Sequence, residues 1–184
     1  MTTIDIPGYR AGTWTLDPAH SEVTFSVRHM MISKVRGTFG VKSATLIAPE
    51  NPLEATVTAS VDVNSVDTKD EGRDTHLRSA DFFDVENHPT MEFVSTGARV
   101  EDGDFFVDGD LTIRGITKPV SFAFDFGGFG QDPWGNYKAG ASASTTINRE
   151  DFGLTWNAAL ETGGVLVGKD ITINLDLQGA LQQD

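Results

Sequence analysis

Cysteine is absent from the chain, which excludes disulfide cross-links, thiolate metal sites and cysteine nucleophiles together. Basic residues are scarce: 14 Lys and Arg stand against 27 Asp and Glu, for a formal net charge of −13. That balance argues against a general nucleic-acid or anionic-membrane binder, because phosphate contacts need a basic surface. No stretch approaches the roughly 18 apolar residues of a membrane span, so no stable membrane insertion is expected. The opening MTTIDIPGYRAGTWTLD has neither a basic n-region nor an apolar h-region and does not read as a signal peptide; the chain is expected to be soluble and cytoplasmic.

Catalytic and cofactor signatures are missing as well. There is no G-x-S-x-G elbow, and no Gly-rich loop follows a strand and opens a helix. The run Gly127-Gly128-Phe129-Gly130 closes a strand before Pro133 and reads as a turn. The four histidines, His20, His29, His76 and His88, do not fall at a ligand spacing such as H-x3-H. A haem pair of His29 with Met30 or Met31 would need neighbouring strand residues to face the same way, and they alternate. Neither a metal nor a cofactor is expected.

What is present is a period of two. The 184 residues, 39% hydrophobic and 22% charged, suit one domain with a real core. Residues 1–10 read as a flexible lead-in and 11–184 as the single domain. Apolar and polar residues alternate through Val23, Phe25 and Val27, through Ala55 to Val63, through Val120 to Phe126 and through Ile171 to Leu177. Asp102-Gly103 marks a tight hairpin. Asp17-Pro18 with His20-Ser21 marks a turn, with His20 bonding backbone. Eight or nine antiparallel strands with one apolar face each must bury those faces together. Meander connections and long strands predict an all-β, up-and-down antiparallel barrel of about eight strands.

One stretch breaks the alternation. Residues 73–93, RDTHLRSADFFDVENHPTMEF, crowd charge beside paired aromatics and predict a short helical crossover near 70–84 that plugs one end through Phe82 and Phe83. The inward-phase set, Val23, Phe25, Val27, Phe39, Val57, Val61, Phe93, Leu111, Phe122, Phe124, Ile173 and Leu175, is the candidate lumen lining. Small residues share that phase at Ala55, Ala59, Ala139, Ala141 and Ala143, so the interior is either a ligand cavity or a solid core in which small faces large. Between Val23 and Pro49 there is no acid, yet Arg28, Lys34, Arg36 and Lys42 fall there. Arg28, His29, Arg36, His76 and Arg78 are candidate contacts for a polar head, since Arg suits bidentate oxyanion binding. The competing assignment for the cations is surface solubility, with Arg73 paired to Asp74 or Asp70. Trp14, Trp134 and Trp156 are candidate caps, Trp134 exposed in its loop, and Phe152 with Trp156 is expected to plug one end.

The blocks Asp17-Pro-Ala-His20-Ser21, Phe25-Ser-Val-Arg28-His29-Met30 and Val35-Arg-Gly37-Thr-Phe39 resemble the opening of the YceI-like family of polyisoprenoid-binding proteins. Arg73 to Glu86, Gly109 to Val120 and Arg149-Glu-Asp-Phe152-Gly153 resemble further blocks of that family, and the resemblance covers residues 12 to about 180. It implies a lipocalin-like antiparallel barrel whose apolar lumen binds a long isoprenoid or a related quinone-type or fatty-acid-type lipid. Many members carry a secretion signal, from which this sequence departs. The resemblance thus implies a lipid ligand and a carrier that performs no chemistry; self-association as a homodimer stays open. Two other functions compete: an enzyme using His29 or His76 beside the lipid head, and a solid barrel whose loops bind a partner.

Overall fold

The computed structural model describes residues 5–30, 32–158 and 166–182. Among them, nine strands form one continuous sheet: β1 (Gly12–Leu16), β2 (Glu22–His29), β3 (Ser33–Ala48), β4 (Thr56–Asp67), β5 (Thr90–Glu101), β6 (Asp104–Ile113), β7 (Ile116–Gln131), β8 (Tyr137–Asn148) and β9 (Val167–Leu181). Every pairing is antiparallel. From β2 to β9 the strands pair in sequence order, and β9 returns to pair with β2, so the sheet closes on itself. The barrel has eight staves rather than nine. β1 pairs with β3 at Thr45–Ala48 and with β9 at Gly179–Leu181, while β2 pairs with the opposite halves of the same two strands. β1 and β2 are therefore one stave, interrupted at Asp17–Ser21.

That interruption is a 3-10 turn capped by Asp17, whose carboxylate accepts from the Ala19 amide at 3.0 Å. His20 bonds this carboxylate through Nδ1 at 2.7 Å instead of reaching backbone. The hydrogen bond from His20 holds the Asp17 carboxyl below its ordinary range. A second correction concerns the strand expected from Leu53: Pro52–Glu54 is another 3-10 turn, capped by Asn51, and β4 starts at Thr56. Asp102 (φ 52°) and Gly103 (φ 84°) make the expected hairpin turn, and Arg114 (φ 51°) with Gly115 (φ 73°) make a second one between β6 and β7. Successive positive φ values match the right-handed twist of the strands they join.

The two ends differ. At one end lie the β3–β4, β5–β6 and β7–β8 connections, crossed by the residues that precede β1. These are tethered: the Tyr9 hydroxyl donates to Pro49 O at 2.6 Å, the Tyr137 hydroxyl to Gly8 O at 2.6 Å, and the Trp14 indole to Arg10 O at 3.1 Å. Residues 1–4 of the expected lead-in lie outside the described residues. The other end carries the crossover, a short helix α1 (Glu71–Arg78) followed by turns through Asn87. Asp70 caps α1 by accepting from the Arg73 amide at 2.9 Å, with Glu71 and Asp74 in its first turn and His76 and Arg78 in its last. Glu71 and Asp74 at its start and Arg78 at its end complement the helix dipole. No described helix is long and apolar enough to cross a membrane.

Candidate functional site

Strand phase delivers the inward set. Among the described residues, three successive cavities share lining residues along the barrel interior. The first, of about 160 Å³, lies under the tethered lead-in, against Trp14, Leu46, Phe126, Phe129, Ala141 and Leu177 among others. The second, of about 140 Å³, adjoins it at Leu16, Ala44, Val57, Phe124 and Leu177. The third, of about 100 Å³, meets the second at Val23, Met91, Ile113 and Ile173 and lies under the crossover, against Leu77, Phe82 and Phe83. Val57, Val61, Phe93, Leu111, Phe122, Phe124 and Leu175 line the second, Phe25, Val27 and Phe39 line the third, and Val23 and Ile173 line both. Every position of the sequence-derived lining thus faces this interior.

Glycine makes room for two of the phenylalanines at the wall. Phe25 lies across from Gly37 on β3, where a Cβ would stand 2.4 Å from the ring's Cζ. Phe93 lies over Gly109 on β6 in the same way, again at 2.4 Å. Each ring rests against the wall in the space that the missing side chain leaves. Phe93 also meets Phe122 edge-on, with centroids 5.4 Å apart.

Among the described residues, charge is nearly absent from these linings. Glu92 borders the second cavity, but its carboxylate accepts from Ser60 and Thr90 hydroxyls at 2.9 and 2.8 Å. Arg149, on the 3-10 turn Arg149–Phe152 after β8, borders the third. Its guanidinium is spent on backbone carbonyls: Nε on Gly168, Nη1 on Leu154 and Trp156, Nη2 on Val167. Burial pushes this guanidinium down from its usual range. Sequence reasoning noted Arg149 only within the block Arg149-Glu-Asp-Phe152-Gly153 and missed it as an interior residue.

A cleft of about 410 Å³ opens beside the crossover, between α1 and the starts of β3 and β9. Phe25, Val27, Leu77, Phe82 and Val167 line both this cleft and the third cavity, so the two share a wall. His29 and His76 line the cleft together with Asp70, Arg73 and Trp156. His76 Nε2 lies 2.9 Å from Asp81 Oδ2, and its ring stands edge-on to Trp156 and Phe82, at 4.6 and 5.1 Å. Of the five head-group candidates, the structure brings these two histidines to one opening. Arg36 pairs across from Ser26, and Arg28 across from Lys34, on the outer face of the wall. Arg78 is turned to β4, donating to Asn64 O and Val66 O at 3.1 Å each. Phe152 is fully buried as expected, and Trp156 packs at this end, whereas Trp14 is buried at the other and Trp134 stands exposed in its hairpin.

Arg73 and Asp74 do not pair with each other directly. Both converge on buried Thr68: Asp74 accepts from its amide at 2.9 Å and its hydroxyl at 2.5 Å, while Arg73 donates to that hydroxyl at 2.8 Å and to Thr68 O at 2.7 Å. This knot ties the start of α1 to the end of β4. Asp74→Ala leaves two buried donors of Thr68 without their acceptor, at a cost of about 1–3 kcal/mol. Urea denaturation is expected to show that loss, and hydrogen exchange is expected to quicken across α1 before it does in the barrel.

Residues 14–179 match the model of the YceI-like domain. The chain is similar to a UPF0312 protein of Staphylococcus epidermidis, 41% identical over 160 residues, which are 86% of this chain and 91% of that one. Among solved structures it is similar in fold to Burkholderia cenocepacia BcnA, with a TM-score of 0.75 at 22% identity over 89% of this chain and 98% of that one. It also resembles in fold a polyisoprenoid binding domain from Saccharophagus degradans implicated in plant cell wall breakdown. There the TM-score is 0.66 at 14% identity, over 92% of this chain and 98% of that one.

Proposed function

Because the chain belongs to the YceI-like domain family, we propose that it is a lipid-binding protein holding a polyisoprenoid or similar long-chain amphiphile in its lumen, for storage, sequestration or transport. The observation that carries this reading is the file of three apolar cavities ending beside a polar-lipped cleft. An apolar void of about 150 Å³ stays dry and accepts a benzene-sized guest. Three such voids in line suit a narrow, jointed chain better than a wide rigid plate. Burial of the tail gains about 25 cal/mol per Å² of apolar surface without directional contacts, so chain length and saturation are read loosely. That one fold neighbour is a polyisoprenoid binding domain supports the choice of tail. The head would rest at the cleft, near His29 and His76.

His76 is read as a binding group rather than a catalytic one. The ring is tied to Asp81 and flanked by two aromatic rings, and its described hydrogen bond goes to that carboxylate rather than to a hydroxyl nucleophile. The test is native mass spectrometry of the purified protein with solvent extraction of whatever it carries. A long-chain prenyl, quinone or acyl lipid is expected at up to one per chain. An empty protein whose melting temperature does not rise with added polyprenol, ubiquinone or fatty acid would overturn the reading.

A further inference from the structure

The β2–β3 hairpin stands beside the cleft and combines two features that a water-facing turn does not need. Its tip exposes Ile32 (83%) and Met30 (45%). On the outer wall just behind the tip, Arg28 lies directly across from Lys34, with Arg36 two residues further along β3. Lys34 and Arg36 lie before Thr38, the first β3 residue with a β4 partner, on a projecting part of the hairpin where β3 pairs with β2 alone. The stretch from Val23 to Pro49 has no acid, although acids outnumber bases about two to one in the whole chain. Around it, Asp67 is engaged by Lys69 at 3.9 Å and Glu150 by Lys169 at 3.6 Å, Asp170 falls on β9 between the partners of Val27 and His29, and Arg28 has an interaction partner of its own; Asp70 and Glu71 lie across the cleft on α1.

We infer that this hairpin is a docking face for an anionic lipid bilayer, which it meets with Met30 and Ile32 in the interface and Lys34 and Arg36 over the headgroups. Charge complementarity and continuity with the cleft select that occupant. Exposed apolar side chains flanked by cations match the boundary between headgroups and acyl chains. His29, at the base of the same hairpin, lines the cleft, so docking presents the opening to the membrane. Screening over about 10 Å confines the attraction to this local patch, so the acidic remainder of the molecule limits it little. The inference deepens the lipid-carrier reading, since it names the source and destination of the cargo.

The test is flotation of the whole protein with vesicles of phosphatidylcholine alone or mixed with phosphatidylglycerol. Binding is expected to the mixed vesicles at low salt, to fade at high salt, and to be far weaker on phosphatidylcholine. Each cation neutralised is expected to weaken binding about fivefold, and Lys34→Glu with Arg36→Glu more than tenfold. Ile32→Glu is expected to abolish transfer of a prenyl lipid from vesicles while leaving loading from solvent intact. Lys138→Glu, at the far end of the barrel, is expected to change nothing. Wild-type protein that ignores anionic vesicles, hairpin variants that float as well as wild type, or recruitment only when a membrane protein is present would each overturn the inference. Vesicle binding by a protein that carries no lipid would instead sink the lumen reading and leave the docking face standing.

Discussion

Replacing Ala44 by phenylalanine is expected to empty the barrel of its ligand while making the protein more stable. Ala44 lies on β3 across from Ala59 and borders both the first and the second cavity. A ring there occupies the passage between them. Filling a dry void commonly adds about 0.5–2 kcal/mol of stability, because the new atoms find contacts where there were none. A tail threading the same space loses its path, and a fall in bound lipid of at least about tenfold, or 1.4 kcal/mol, is expected. Ser142→Phe, on the outer face of β8, serves as the control. The two readouts move in opposite directions, which separates this outcome from simple damage. A solid barrel would instead lose about 1–3 kcal/mol to overpacking, with no change in anything bound.

Arg149→Met is expected to have the largest effect on stability. The residue is 2% exposed and donates to four carbonyls, those of Gly168, Leu154, Trp156 and Val167, at 2.8, 2.5, 2.9 and 3.3 Å. These join the turn after β8 to the beginning of β9, and no carboxylate is among the acceptors. Methionine keeps an apolar stem only as far as the Nε position and loses every donor. A loss of about 3–5 kcal/mol is expected, a large share of the 5–15 kcal/mol that ordinarily separates folded from unfolded chains. Lysine is expected to recover only part of it, because an ammonium cannot fork to carbonyls on separate segments. Equilibrium urea unfolding measures both variants, and Trp156 fluorescence reports whether the loop has come loose. A methionine variant within about 1 kcal/mol of wild type would show that water replaces the lost donors.

The lumen was legible where strands run straight. Val23, Phe25 and Val27 on β2, and Ile171, Ile173 and Leu175 on β9, keep the phase that the sequence displays. It was not legible past bulges. The register shifts between Val41 and Ser43 and between Phe126 and Gly128, so Ala44 and Phe129 face inward out of step with the residues before them. One extra residue in a strand reverses the parity that follows, and nothing local in the sequence marks where. The cations failed for another reason. Arg28 and Arg36 alternate with Val27 and Val35, so strand parity sends them outside whatever charge an interior head might attract. Arg78 and Arg149 were unreadable because carbonyl acceptors have no sequence signature. The helix, by contrast, announced itself through Asp70, its flanking charges and the interrupted alternation.

The closure of the sheet also sets a condition on how the protein can be made. β9 supplies partners to β1, β2 and β8, so the first stave has no neighbour on one side until the final strand leaves the ribosome. A nascent chain halted before Val167 would carry two ragged borders and a wet greasy interior, the pattern that invites runaway aggregation. Premature termination late in translation is therefore more hazardous for this architecture than early termination, and the nascent chain has to be shielded until its last fifteen-residue strand arrives.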